Sequence, residues 1–121
     1  MVAFEMMEAA RYLPYLHRGS KVVVNTQQIL PPSVATGQAT YPEDVLDVLV
    51  ANDIEVVKVN GLDTAREVGE VRTVNMVMVG AMSAFLPIDP SVCTEVIEKR
   101  VPERFREVNL QAFAAGRKTG E

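Results

Sequence analysis

The chain has 121 residues, 48% hydrophobic and 23% charged, which fits one globular domain large enough for a core of its own. Aromatic residues make up 6% and Trp is absent, so Val, Met, Leu and Ala must fill that core. A net charge of -4 with scattered cations excludes the basic footprint of a nucleic-acid binder, and the single cysteine, Cys93, excludes an intrachain disulfide.

Glu5 and Glu8 interrupt the early apolar residues, so no signal peptide is expected and the cytoplasm is the default compartment. Val2, Ala3 and Phe4 are too few to read as a strand of their own. Residues 5–17 place Met6, Ala10 and Leu13 on one helical side, with a kink or new turn at Pro14 and a stop at Gly19. Lys21 to Asn25, KVVVN, has the continuous Val run of a strand covered on both faces, and it is expected to be central in a parallel sheet. Thr26 to Tyr41 lacks periodicity and is rich in Pro, Gly, Ser and Thr, which predicts a long ordered loop. Thr40 and Glu43 have capping-box spacing with Pro42 in the first turn. A helix should follow to about Ala51 with Val45, Leu46 and Leu49 inward. A strand over 54–59, IEVVKV, then completes a right-handed crossover unit with parallel strands.

Gly61 to Glu70 reads as a short helix ended by Gly69 in the left-handed conformation. Thr73 to Leu86, TVNMVMVGAMSAFL, is apolar on every side except at Asn75 and Ser83 and should be a buried core helix. Its apolar run is too short for a membrane span, and Gly80 with Ala84 offers a stripe of almost bare backbone to a neighbouring element. Asn75, in its first turn, is expected to satisfy unpaired backbone groups. Asp89 and Pro90 open a helix to about Arg100 that is expected to bury Val92, Cys93, Val96 and Ile97. Pro102 opens the last helix. There Phe105, Val108, Ala112 and Phe113 form an apolar stripe with Asn109 inside it, Arg104, Glu107, Arg117 and Lys118 face water, and the tail past Gly116 frays. The class is α/β, a parallel or mostly parallel sheet flanked by helices, with a helical carboxyl-terminal part.

Chemical signatures are sparse. His17 stands alone at a helix end, Cys93 falls on an inward helix face, and the acidic pairs Glu43 with Asp44 and Glu95 with Glu98 sit on wet faces. Gly116 to Thr119 lacks the strand, helix and adjacent Gly-Lys of a phosphate loop. No catalytic residue and no metal ligand set is singled out. The one candidate is Asn25, Thr26 and Gln27, with Gln28 beside them, at the carboxyl end of the central strand, where ligands bind in open α/β sheets. On residue physics alone these polar side chains read first as ties for the long loop that follows.

Three segments, VVVNTQQILPPSVATGQATYP at 22–42, LDTAREVGEVRTVNMVMVGAMSAF at 62–85 and VNLQAFAAGR at 108–117, resemble the gamma-type domain of 2-oxoacid:ferredoxin oxidoreductases. They are nearest to the beta subunits of its indolepyruvate-oxidising branch. Asn25, Pro31, Gly37, Tyr41, Pro42, Gly69, Asn75, Gly80, Ala81, Asn109, Ala112, Phe113 and Gly116 fall on recurring positions of that pattern. The opening MVAFEMMEAARYLPYL resembles the middle of such a domain, where a strand leads into a helix. The resemblance therefore implies a carboxyl-terminal half, without the family's upstream G-x-G-G-Q-G turn, and puts phosphate or coenzyme binding through that turn outside these residues. In such enzymes a 2-oxoacid is decarboxylated on thiamine diphosphate, electrons pass through iron-sulfur clusters to ferredoxin, and an acyl-coenzyme A leaves. With one cysteine, this chain is expected to hold none of those cofactors and to be an accessory part that packs against a thiamine- and cluster-carrying subunit. The loop after the central strand is expected to face that partner. A homo-oligomer is expected for the isolated chain, because apolar surface around Val2 to Phe4 and along Val22 to Val24 would otherwise be bare. A stand-alone α/β binding or assembly module is the alternative.

Overall fold

The computed structural model describes residues 1–26, 36–37 and 44–120. They form two compact units, Met1–Lys58 and Val59–Glu121.

In the first unit the Val run does form the middle of a sheet. Strand β1 (Val2–Ala3) pairs in parallel with β2 (Lys21–Asn25), Val2 opposite Val23 and Ala3 opposite Val24, and β3 (Glu55–Val59) lies on the other side of β2. The Met1 amine donates to the Lys21 carbonyl at 2.9 Å, and the Glu55 amide donates to the Ser20 carbonyl at 2.9 Å. Thus Val2 and Ala3, too few for a strand of their own, become one by borrowing the ladder of their neighbour, while Phe4 lies just past it.

Helix α1 (Met6–Arg11) packs on β1, β2 and α2 (Val45–Ala51), and Pro14 falls in a separate 3-10 turn over Leu13–Tyr15. Ala9, rather than Met6 or Ala10, is the residue of α1 that is fully buried. With Ala3, Val22, Val24, Leu49 and Ile54 it makes the core of this unit, flanked by Met6, Leu13, Leu16, Leu46 and Val56. Val22 and Val24 are completely inaccessible and Val23 nearly so, which corrects the expectation of bare apolar surface along 22–24. The capping box at Thr40 and Glu43, and all of the predicted loop except Thr26, Thr36 and Gly37, lie outside the described residues.

The second unit is helical. Helix α3 (Gly61–Val68) ends at Gly69, whose φ of 107° is the left-handed conformation that a glycine adopts without strain. A 3-10 turn over Val71–Thr73 leads into the core helix α4 (Val74–Ser83), followed by α5 (Pro90–Arg100) and α6 (Glu103–Gly120). Asn60 caps α3 by accepting from the Asp63 amide, and Asp89 caps α5 by accepting from the Ser91 amide at 2.8 Å.

Helices α4 and α6 share the closest crossing in the unit. A Cβ on Gly80 would collide with the Phe113 carbonyl, one on Gly116 with the Val77 carbonyl, and one on Gly120 with the Ala81 carbonyl. Thr73, just before α4, borders a cleft with Phe105 and Asn109 near the start of α6, and Ala81 near the end of α4 meets Gly120 at the end of α6, so the helices run in the same direction. Small residues on both helices are what allow backbone to rest on backbone. The helix therefore continues to Gly120, which is buried, rather than fraying past Gly116.

Three further expectations fail on these helices. Asn75 is exposed and its side chain makes no hydrogen bond among the described residues, and the core helix is not covered all round, since Val79 on its other side is exposed too. On α5 only Ile97 is buried, with 6% of its surface accessible; Cys93 is half-buried, and Val92 and Val96 are exposed. Among the described residues no helix is long and apolar enough to cross a membrane.

Candidate functional site

Because β1 and β2 are parallel, both carboxyl ends lie at the same edge of the sheet, and Asn25 closes β2 there. Asn25 is almost wholly buried, and its side-chain amide donates to the Phe4 carbonyl at 3.2 Å. That bond ties the residue following β1 to the last residue of β2. It satisfies a buried amide and fixes where the chain leaves the sheet toward Thr26. Glu5, also buried, sits beside Phe4 and caps α1, its Oε2 accepting from the Met7 amide at 2.7 Å. The strand ends thus converge on a small polar set, Asn25, Glu5 and the Phe4 carbonyl, with Thr26 at the exit.

Of the predicted site residues, Asn25 and Thr26 are consecutive at this edge, and Gln27 lies outside the described residues. The arrangement positions backbone. It holds a carboxylate already engaged as a helix cap and an amide already engaged with a carbonyl. Phe4 and Glu5 were not singled out from the sequence, since a two-residue strand carries too little periodicity to announce its end.

Elsewhere the chemistry is equally restrained. The His17 ring Nδ1 is 2.9 Å from the Arg18 carbonyl on the surface. No group of three or more His, Cys, Asp or Glu residues is placed to hold a metal ion among the described residues. Cys93, the chain's single thiol, lines a groove with Met76, Val79 and Phe113, surroundings that suit a small apolar side chain and not a cluster needing several thiolates.

In the helical unit, a cleft of about 260 Å³ is bordered by Glu70, Arg72, Thr73, Phe105 and Asn109. The Arg72 guanidinium grips Glu70 through Nε to Oε1 at 2.9 Å and Nη2 to Oε2 at 3.1 Å, and these bonds with the Arg72 amide hold the Glu70 carboxyl at about 2 instead of the ordinary 4.5. Asn109 donates to the Phe105 carbonyl at 2.9 Å within its own helix. Arg117, expected to face water, is half-buried and donates to Ser83 Oγ at 3.1 Å, while Ser83 itself donates to the Gly80 carbonyl at 2.6 Å. The Arg117 to Ser83 bond braces α6 against α4.

A family model described as pyruvate ferredoxin/flavodoxin oxidoreductase matches residues 1–119. The chain is 32% identical over 120 residues to indolepyruvate oxidoreductase subunit IorB of Archaeoglobus fulgidus, covering 96% of this chain and 60% of the relative. It is 34% identical over 126 residues to the subunit of the same name from Thermococcus kodakarensis, covering 100% of this chain and 62% of that one. Among solved structures, the gamma subunit of a keto/oxoacid ferredoxin oxidoreductase from Geobacter sulfurreducens superposes with a TM-score of 0.72 at 22% identity, over 98% of this chain and 62% of that one. The 2-oxoglutarate:ferredoxin oxidoreductase from Magnetococcus marinus, solved with 2-oxoglutarate, coenzyme A and succinyl-CoA bound, gives 0.70 at 21% identity, over 98% of this chain and 19% of that one. At those identities the two structures show a shared fold. The chain spans about three fifths of the length of the relatives it matches in sequence. The chain belongs to the pyruvate ferredoxin/flavodoxin oxidoreductase family.

Proposed function

We propose that this chain is an accessory, noncatalytic part of a 2-oxoacid:ferredoxin oxidoreductase of the indolepyruvate type. The observation that carries this reading is the family match over residues 1–119, together with relatives named as a subunit of that enzyme. The chemistry of the residues supports it. An iron-sulfur cluster takes several cysteine ligands and the whole sequence has one, so the chain's donor set does not fit such a cluster. In this reading the thiamine diphosphate, the clusters and the coenzyme A site of the complete enzyme belong to a partner subunit. The contribution of this chain is a surface on which that subunit rests.

The carboxyl edge of the sheet, with Asn25, Thr26 and the following Gln27, is the face we assign to the partner. Its support is the position at strand ends, the usual place for ligands and partners in open α/β sheets. Co-elution of the purified chain with the thiamine-carrying subunit tests the assignment. A stable complex that Thr26→Arg weakens, while the chain's own melt is unchanged, is the expected result. Failure of the wild-type chain to co-elute would favour the alternative, an α/β module working apart from the redox enzyme. Self-association of the isolated chain is a separate proposal, which stands or falls apart from this one.

A further inference from the structure

Helix α5 carries a stripe that the rest of the helical unit leaves uncovered. Asp89 at its N-cap, Val92, Val96 and Arg100 follow one another at intervals of three and four residues, and so share one face. All four are exposed, Val92 at 50% and Val96 at 51%. The stripe borders a groove of about 410 Å³ whose walls are apolar, formed by Met76 and Val79 of α4, Ile88, Cys93 and Phe113. Arg100 stands at the groove and forms no ion pair among the described residues. Asp89 engages the Ser91 amide through Oδ1 and also lies in the field of Arg117 of its own chain, while its Oδ2 accepts no hydrogen bond among the described residues.

Read from its amino end, the stripe is acid, valine, valine, base. Turned about a two-fold axis perpendicular to the helix it reads base, valine, valine, acid, so it complements itself. An antiparallel copy sets Asp89 against the Arg100 of the other chain and Val92 against its Val96. The pairings are centred between Thr94 and Glu95 and at Thr94, about half a residue apart, which is close enough for a single two-fold axis to satisfy both. A foreign helix would have to bring the same two charges at the same spacing, whereas this chain already supplies them. We propose that a second copy of the chain docks antiparallel on the Asp89, Val92, Val96 and Arg100 stripe and its adjoining groove. The proposal is independent of the oxidoreductase reading. One helical stripe and a groove are smaller than the interfaces of about 1,200 Å² and more that hold permanent complexes, so the association is reversible.

Sedimentation velocity of the full chain between about 1 and 100 µM is the test, a range that brackets the weak affinities of small interfaces. The expected result is a concentration-dependent shift from the 13.3 kDa chain mass toward twice that value. Val96→Glu should return the monomer with an unchanged melt, because the side chain it replaces is exposed. Arg100→Glu and Asp89→Lys should each weaken self-association about tenfold or more, and an equimolar mixture of the two should recover it, since both charge pairs are then restored across the axis. A chain that stays monomeric throughout, a dimer indifferent to Val96→Glu, or folded charge variants that do not recover on mixing would overturn the proposal.

Discussion

Within the helical unit, α6 and α5 meet their surroundings on opposite terms. Helix α6 lies against α4 with glycine on carbonyl at Gly80, Gly116 and Gly120, so no atom could be added without moving backbone. Helix α5 is held by one buried side chain, Ile97, and leaves two valines and a groove open. The two helices are about equally apolar to a reader of the sequence. What separates them is the presence of small residues at matching positions on two elements, which lets one pair close completely while the other stays available.

The largest effect is expected where the contact is closest. Gly116→Val pushes a branched side chain into the Val77 carbonyl, and the overpacking should cost about 3 kcal/mol or more, read as a large drop in the denaturant midpoint. A variant that melts like the parent would mean that α4 and α6 are not in backbone contact.

Ser83→Ala comes next, because it removes from the same crossing the hydroxyl that Arg117 donates to and leaves the guanidinium without that acceptor. A loss of about 1 kcal/mol is expected in chemical denaturation. On the open side, Val96→Ser should change the stability of the monomer by no more than about 0.5 kcal/mol, measured at a concentration low enough to avoid self-association. A larger loss there would show that Val96 is buried within the chain and would erase the contrast between the two helices.

The smallest effect is a pH dependence. Glu70 is held at about 2 by the side-chain and backbone hydrogen bonds of Arg72, below its ordinary 4.5. A carboxyl depressed in the folded state stabilises that state above pH 4.5, and the contribution fades as pH falls toward 2. The pair is on the surface, so the slope should be shallow, and Glu70→Gln should remove it from a series of melts between those pH values.

Much of this was legible in the sequence where a local rule governs. The Val run at 22–24 declared a central strand, Gly69 declared a helix end, and Asp89 with Pro90 declared a helix start, because each depends on the backbone conformation of a few consecutive residues. Gly80 announced a close approach, and the sequence placed the approaching element nowhere in particular. That partner required Gly116 and Gly120 to lie in register with Val77 and Ala81, a tertiary match that periodicity cannot supply. The same limit explains Val92 and Val96. Their spacing defines an apolar side of a helix, but whether that side is covered depends on how far α5 stands from α4. At the sheet edge, Asn25 was recognisable from its place after the Val run, while its partner, the Phe4 carbonyl, was hidden by a strand only two residues long.

The central claim is that this chain serves the family's chemistry without performing it. Indolepyruvate-dependent dye reduction, measured with the chain alone, with the thiamine-carrying subunit alone and with both, tests that claim most directly. We predict no turnover and no bound iron for the chain alone, and turnover with the pair that exceeds what the partner achieves by itself. Dye reduction or stoichiometric iron in the isolated chain would contradict the account, as would a partner whose turnover is the same whether or not this chain is present.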